Sequence, residues 1–146
     1  MPRLTSSEFM TQLPAATRTQ LPRALRDFRS AHRSWLCQLY YADPRLHYEV
    51  WNLGERRGRL EIGLHFESRD PAENAALLRG FSQRMVAVKA GLGPQWEAEA
   101  WDRGWTKVYE TVPYEPFSTA VLDRVARRLA QAMTVLQPIW DDLAAP

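Results

Sequence analysis

Imidazole, carboxylate and indole side chains recur at spacings of two or four residues in three stretches of the chain: His47, Glu49 and Trp51; Glu61, His65 and Glu67; Glu97, Glu99 and Trp101. Residues two apart share one face of a β-strand. Glu and His grouped on neighbouring strands supply acid–base catalysis, or the oxygen and nitrogen donors of a divalent metal. They serve equally as a solvated sheet face whose acids pair with cross-strand arginines such as Arg59 and Arg103. Spacing of two is generic to strands. No catalytic residue, metal or cofactor is therefore assigned from it, and the expectation is a binding surface made of Trp51, Glu61, His65, Glu97, Glu99 and Trp101.

A second group is basic. Arg26, Arg29 and Arg33 fall on one side of a helix expected over 21–41, and Arg56, Arg57 and Arg59 stand at the tip of an expected hairpin. The planar guanidinium grips phosphate with two parallel hydrogen bonds, so these six form a candidate nucleic-acid surface. Charge is unevenly spread, +4 over residues 1–46 and −2 over residues 47–146, within a total of +2. That total is small for a nucleic-acid binder, and phosphate binding ranks second.

Several chemistries lack their motifs. Gly91-Leu92-Gly93-Pro94 has neither the Lys nor the following helix of a phosphate loop. Neither Lys89 nor Lys107, the only lysines, stands two residues after an acidic residue, so the Asp…Glu-x-Lys pattern of many nucleases is missing, as is a Gly-x-Ser-x-Gly elbow. Cys37 is the single cysteine and has no intrachain partner; it reads as an inert thiol on a helix face. No apolar run approaches the roughly 18 residues of a membrane span, and the first residues lack the apolar stretch of a secretory signal. A cytoplasmic protein with no membrane partner is expected.

The elements that position these residues follow from periodicity. Thr5 and Glu8 have capping-box spacing for a short helix over 6–13, stopped by Pro14, within an N-terminal arm of residues 1–20. Leu21, Leu25, Phe28, His32, Trp35, Leu36 and Leu39 recur at helical spacing, predicting an amphipathic helix over 21–41 in a segment ending at 45. The period then changes to two: 47–53 and 60–66 are strands joined by Gly54-Glu55-Arg56-Arg57-Gly58. Asp70-Pro71-Ala72-Glu73 opens a helix that Gly91 and Gly93 end. A second hairpin, 95–101 with 105–112, precedes a last helix from Ser118 or Thr119 in which Pro138 should cause a kink.

The order α-α-ββα-ββα, with ββα units at 46–93 and 94–146, predicts one α+β domain over 1–146. It would be a two-layer sandwich: a four-stranded antiparallel sheet with helices on one face. Trp35 and Trp140 are expected in the core. Trp51, Trp96, Trp101 and Trp105 all belong to the hairpins, and alternation cannot turn all four inward.

Leu60-Glu61-Ile62-Gly63-Leu64-His65-Phe66, then Gly91-Leu92-Gly93-Pro94-Gln95-Trp96-Glu97, then the helix ending Ile139-Trp140-Asp141-Asp142-Leu143 carry a family likeness over residues 46–143. The chain resembles an uncharacterised bacterial and archaeal domain family, found alone or at the C-terminal end of restriction-modification-associated proteins. The resemblance implies a soluble α/β module without established catalytic residues, near DNA-directed defence systems.

The leading expectation is a non-catalytic binding or protein-interaction module that uses the open sheet face, with a protein partner or a second copy as a homodimer. Nucleic-acid binding through the six arginines is the alternative, and a metal-dependent hydrolase on the sheet face ranks last.

Overall fold

The structure, a computed structural model, describes residues 2–145; Met1 and Pro146 of the expected domain lie outside the described residues. Its helices start where side chains satisfy the first orphan amides. In α1 (Ser6–Arg18) the Thr5 hydroxyl accepts from the Glu8 amide at 3.0 Å, and the Glu8 carboxylate accepts from the Thr5 amide at 2.9 Å. Asp70 caps α2 (Pro71–Ser82), whose Pro71 occupies a first-turn position where no amide is needed. Ser118 caps α4 (Thr119–Ala144), 26 residues and about 39 Å long at 1.5 Å per residue.

Six strands form one antiparallel sheet: β1 (Arg29–Arg33), β2 (Leu36–Tyr40), β3 (Leu46–Asn52), β4 (Arg59–Phe66), β5 (Glu97–Ala100) and β6 (Thr106–Pro113), in the order β1-β2-β3-β4-β6-β5. The α+β class holds, but the sheet has six strands rather than four. The expected helix over 21–41 does not exist. Its place is taken by a single 3-10 turn (Arg23–Leu25) and the β1–β2 hairpin. Leu36 and Leu39 satisfy a helical spacing, yet Cys37 and Leu39 also alternate, and they are the buried pair of β2. Pairing decided the ambiguity, because β2 bonds β1 on one side and β3 on the other, and this excludes helical hydrogen bonds.

Three smaller expectations also change. Residues 71–92 form two helices, since the chain turns at Gln83–Arg84 before α3 (Met85–Leu92). Gly93, at φ 113°, ends α3; Gly91 lies inside it, where a Cβ would come within 3.0 Å of Val135 on α4. Pro14 and Pro138 interrupt neither α1 nor α4. Pro14 is itself buried on the face that α1 turns to the core, which offsets the amide bond it cannot make.

All four helices lie on one side of the sheet. Phe9, Met10 and Leu13 of α1 and Leu129, Met133 and Leu136 of α4 join Leu39, Tyr48, Val50, Ile62, Leu64, Phe66 and Val108 in one core. Phe81 of α2 packs on Phe66 at 5.7 Å, and Tyr48 donates to Gln137 of α4 at 2.8 Å. Trp96 is fully buried and Trp140 packs against Tyr48 and Phe66. Trp35, expected inside, sits in the β1–β2 turn and is 51% exposed. The two ββα units meet through their second strands, β4 and β6, so the four strands β3-β4-β6-β5 mirror one another about the sheet centre. Among the described residues, no helix is long and apolar enough to cross a membrane.

Candidate functional site

The other side of the sheet carries no helix, and the register settles which residues it presents. Arg33, Leu36, Trp51, Glu61 and Thr111 form one row across β1, β2, β3, β4 and β6. Ala31, Gln38, Glu49, Gly63, Tyr109 and Glu97 form the next, across all six strands. Beyond it lie His47, His65, Lys107 and Glu99, with Arg29 at the β1 end. Trp51, Glu61, His65, Glu97 and Glu99 of the expected surface therefore share this face, and Trp101 reaches over it from the end of β5. They do not act as one group. Glu97 and Glu99 stand exposed at the β5 edge, whereas the centre is buried.

That burial is the unusual feature. Although no element covers the face, His65 is 0%, Glu61 2%, His47 2%, Glu49 5% and Lys107 7% exposed. The side chains cover one another. The Trp101 ring meets His65 edge-on at 5.7 Å and packs on Trp51 at 6.0 Å and Trp105 at 5.5 Å, making a ridge over the centre. Gly63 leaves the centre hollow: a Cβ there would lie 2.6 Å from Tyr109 Cβ and 2.8 Å from the Val108 carbonyl.

Hydrogen bonds tie the buried groups into one network. Lys107 Nζ donates to Glu61 at 2.6 Å and lies 4.2 Å from the Tyr109 ring centroid. Glu61 faces His65 Nε2 at 2.7 Å, and Glu67 faces His65 Nδ1 at 3.1 Å. His47 Nδ1 lies 2.8 Å from the Pro44 carbonyl, which only accepts, so that nitrogen carries the proton. His47 Nε2 then points at Glu49 at 3.2 Å and at Glu67 at 3.9 Å. Gln38 donates to Glu49 at 3.0 Å. Trp101 Nε1 is shut off from solvent and donates to nothing.

The electrostatics follow from these contacts. Burial works against the His65 imidazolium, but the carboxylates of Glu61, Glu67 and Glu49 overcome it and push its pKa up to about 9. Burial would likewise raise Glu49, yet the hydrogen bonds from His47 and Gln38 and the charge of His65 hold it down to about 2. Glu49, Glu61 and Glu67 bring three negative charges to a buried site with one ammonium. Protonating both imidazoles restores balance, but their rings stack 5.7 Å apart, and two unit charges at that distance repel by about 3 kcal/mol at an effective dielectric of 20.

The cross-strand arginines expected to neutralise these acids do not reach them. Arg59 donates to Thr111, and Arg103 lies beside Asp102 in the β5–β6 turn. Lys107 does that work, and neither it nor Gln38, Tyr109 or Gly63 stood out in the sequence. Strand alternation places Lys107 and Tyr109 on the acidic face; the register that puts Lys107 opposite His65 is a long-range fact.

The six arginines of the nucleic-acid expectation lose their common element with the helix over 21–41. Arg29 and Arg33 point from β1 onto the open face, Arg26 is bound to the Leu21 carbonyl at the end of the 3-10 turn, Arg56 and Arg57 occupy the β3–β4 turn, and Arg59 is engaged by Thr111. Cys37 lies on the core side of β2 rather than on a helix, and burial, reinforced by the Glu49 charge, pushes its thiol up to about 12. A separate crevice of about 500 Å³ opens between the sheet and α4, floored by Leu60, Ile62, Val112 and Val125. Its charged groups are paired with one another, Arg128 with Glu110 at 2.5 Å and Arg124 with Glu115.

Comparison with protein-family models, with curated proteins and with solved structures finds no match for the chain.

Proposed function

We propose that this chain is a non-catalytic binding module whose working surface is the open face of the sheet, and that a second copy is the partner that docks there. The observation that carries the reading is the charge-unbalanced network buried at the centre of a face that no element covers. Five ionisable groups held out of water, with Glu67 at their rim, are costly, and such groups cluster at functional sites more than elsewhere. Acid–base turnover is less well served, since both His65 nitrogens and the Lys107 ammonium are already engaged.

The face is self-complementary in charge. Arg29 and Arg33 lie exposed on β1, Glu97 and Glu99 lie exposed on β5, and five strand spacings of about 4.8 Å put them about 24 Å apart. A two-fold axis through the sheet centre sets the arginines of one copy over the glutamates of the other. Edge-to-edge pairing is the poorer route to a dimer, because β1 is charged and β5 has only four residues. The resemblance over residues 46–143 would place such a module beside a DNA-directed defence system. The arginines serve nucleic-acid binding less well, being split among four elements.

Light scattering of the full chain from low micromolar to several hundred micromolar tests this. The expected result is a dimer that weakens with salt. Arg29→Glu with Arg33→Glu should give a monomer, as should Glu97→Arg with Glu99→Arg, and the four changes together should restore association. A monomer at every concentration in low salt, or charge reversals without effect, overturns the proposal.

A further inference from the structure

We infer that His47, Glu49, His65 and Glu67 bind a first-row divalent cation of the zinc type. This goes beyond the binding-module reading and stands whether or not a second copy docks on the face. One donor atom from each of the four lies within 4.8 Å of all the others. A tetrahedral site with bonds of about 2.0–2.1 Å needs its donors roughly 3.3 Å apart. The set is therefore one small contraction from coordination, and Glu67, at 18% side-chain exposure the least buried of the four, is free to make it.

Proton accounting points the same way. His47 turns its Nδ1 to the Pro44 carbonyl, which leaves its Nε2 facing the Gln38 amide and Glu49, each at 3.2 Å, and Glu67 at 3.9 Å. The one amide donor there, Gln38, is shared between His47 Nε2 and Glu49 at 3.2 and 3.0 Å, whereas a cation among them would bind the imidazole and both carboxylates at once. His65 presents both nitrogens to carboxylates; Glu61, the nearer at 2.7 Å, holds the proton on Nε2, which leaves Nδ1 and Glu67 for the ion. With both imidazoles neutral, as metal ligands are, three carboxylates against one ammonium leave two negative charges, and one divalent cation neutralises them without two stacked imidazolium rings. Binding then forms bonds to both imidazoles and both carboxylates and sends to solvent whatever protons the imidazoles held at those two nitrogens.

The surroundings have the form that metal sites use to aim their ligands. A backbone carbonyl holds His47, Glu61 holds His65 and is held in turn by Lys107, and Gln38 holds Glu49. Two imidazoles with two carboxylates, and no thiolate on this face, select zinc, iron or cobalt in the divalent state over calcium or magnesium, which prefer all-oxygen shells.

The test is zinc alone, added to the full chain after stripping with EDTA, with stoichiometry by elemental mass spectrometry and affinity by competition with a chelating dye. One zinc per chain is expected. Glu67→Gln should weaken it by at least ~10-fold, His47→Gln should abolish it, and Glu61→Gln, which removes only the aiming group, should cost ~10- to 100-fold. Glu55→Gln, exposed in the β3–β4 turn and outside the set, should bind as the parent does. Far-UV circular dichroism checks each variant's fold, and Glu67→Gln keeps the test valid if a buried variant does not fold. Less than about a tenth of an ion per chain, or one ion held equally by the parent, His47→Gln and Glu67→Gln, overturns the inference. Light scattering on the same samples separates the two proposals: zinc bound to a monomer refutes only the dimer, and a dimer without zinc refutes only the metal site.

Discussion

Replacing Lys107 by Met keeps the length of the side chain and removes the ammonium that lies 2.6 Å from Glu61. At an effective dielectric of 20 the direct attraction at that distance is about 6 kcal/mol, and taking both groups out of water consumes part of it. What the substitution exposes is the cost of a carboxylate that loses one of its two cations and keeps only His65, at 2.7 Å: the Glu61 side chain is 2% accessible and cannot turn to solvent. Breaking a buried pair from one side costs about 3–5 kcal/mol. For a chain of 146 residues, at about 3 °C per kcal/mol, that is a fall in Tm of about 9–15 °C. Differential scanning calorimetry in EDTA measures it. Glu61→Gln in the same background should recover more than 1 kcal/mol of the loss, because the pair then disappears together. A Tm within about 2 °C of the parent, or a double variant whose loss is the sum of the two singles, would show that the pair does not carry the energetics of this face.

Two further outcomes follow from the same geometry. Gly63→Ala forces a methyl group to within 2.6 Å of Tyr109 Cβ and 2.8 Å of a backbone oxygen, so urea unfolding should show a loss of about 1–3 kcal/mol; an unchanged midpoint would contradict the close approach of β4 and β6. In the metal-free protein, Glu49 falls from its ordinary 4.5 to about 2, so its contribution is present above pH 4.5 and lost as pH drops toward 2. His65 rises from 6.5 to about 9, so its contribution is present below pH 6.5 and lost as pH climbs through 9. Stability in EDTA should therefore be highest between pH 4.5 and 6.5, and a urea midpoint that keeps rising from pH 6.5 to 9 would refute the His65 assignment.

Local chemistry was legible where the cause was local. Thr5 with Glu8, Asp70 before Pro71, and Ser118 each start a helix where their side chains demand one, because a cap needs only the next three amides. Alternation in 60–66 put Leu60, Ile62, Leu64 and Phe66 inward and Glu61 and His65 outward, since the pleat leaves no other choice. Residues 21–41 misled for a physical reason. Their apolar residues satisfy two periods at once, and the partner that selects one, β3, lies beyond residue 45.

Composition and period alone determined the class of this protein, its β3–β4 and β5–β6 hairpins and the side of the sheet on which its acids and imidazoles stand. Only the tertiary structure decided that β2 slots between β1 and β3, that Lys107 lands opposite His65, and that Trp101 folds over the cluster. The register between β2 and β3 and between β4 and β6 is set by contacts such as those from Gln38 to His47, 9 positions apart, and from Glu61 to Lys107, 46 apart, and no local pattern records them. Burial follows from those contacts, and burial turns a polar sheet face with generic spacing into a charged site where three carboxylates meet one ammonium and a His65 ring that they keep protonated.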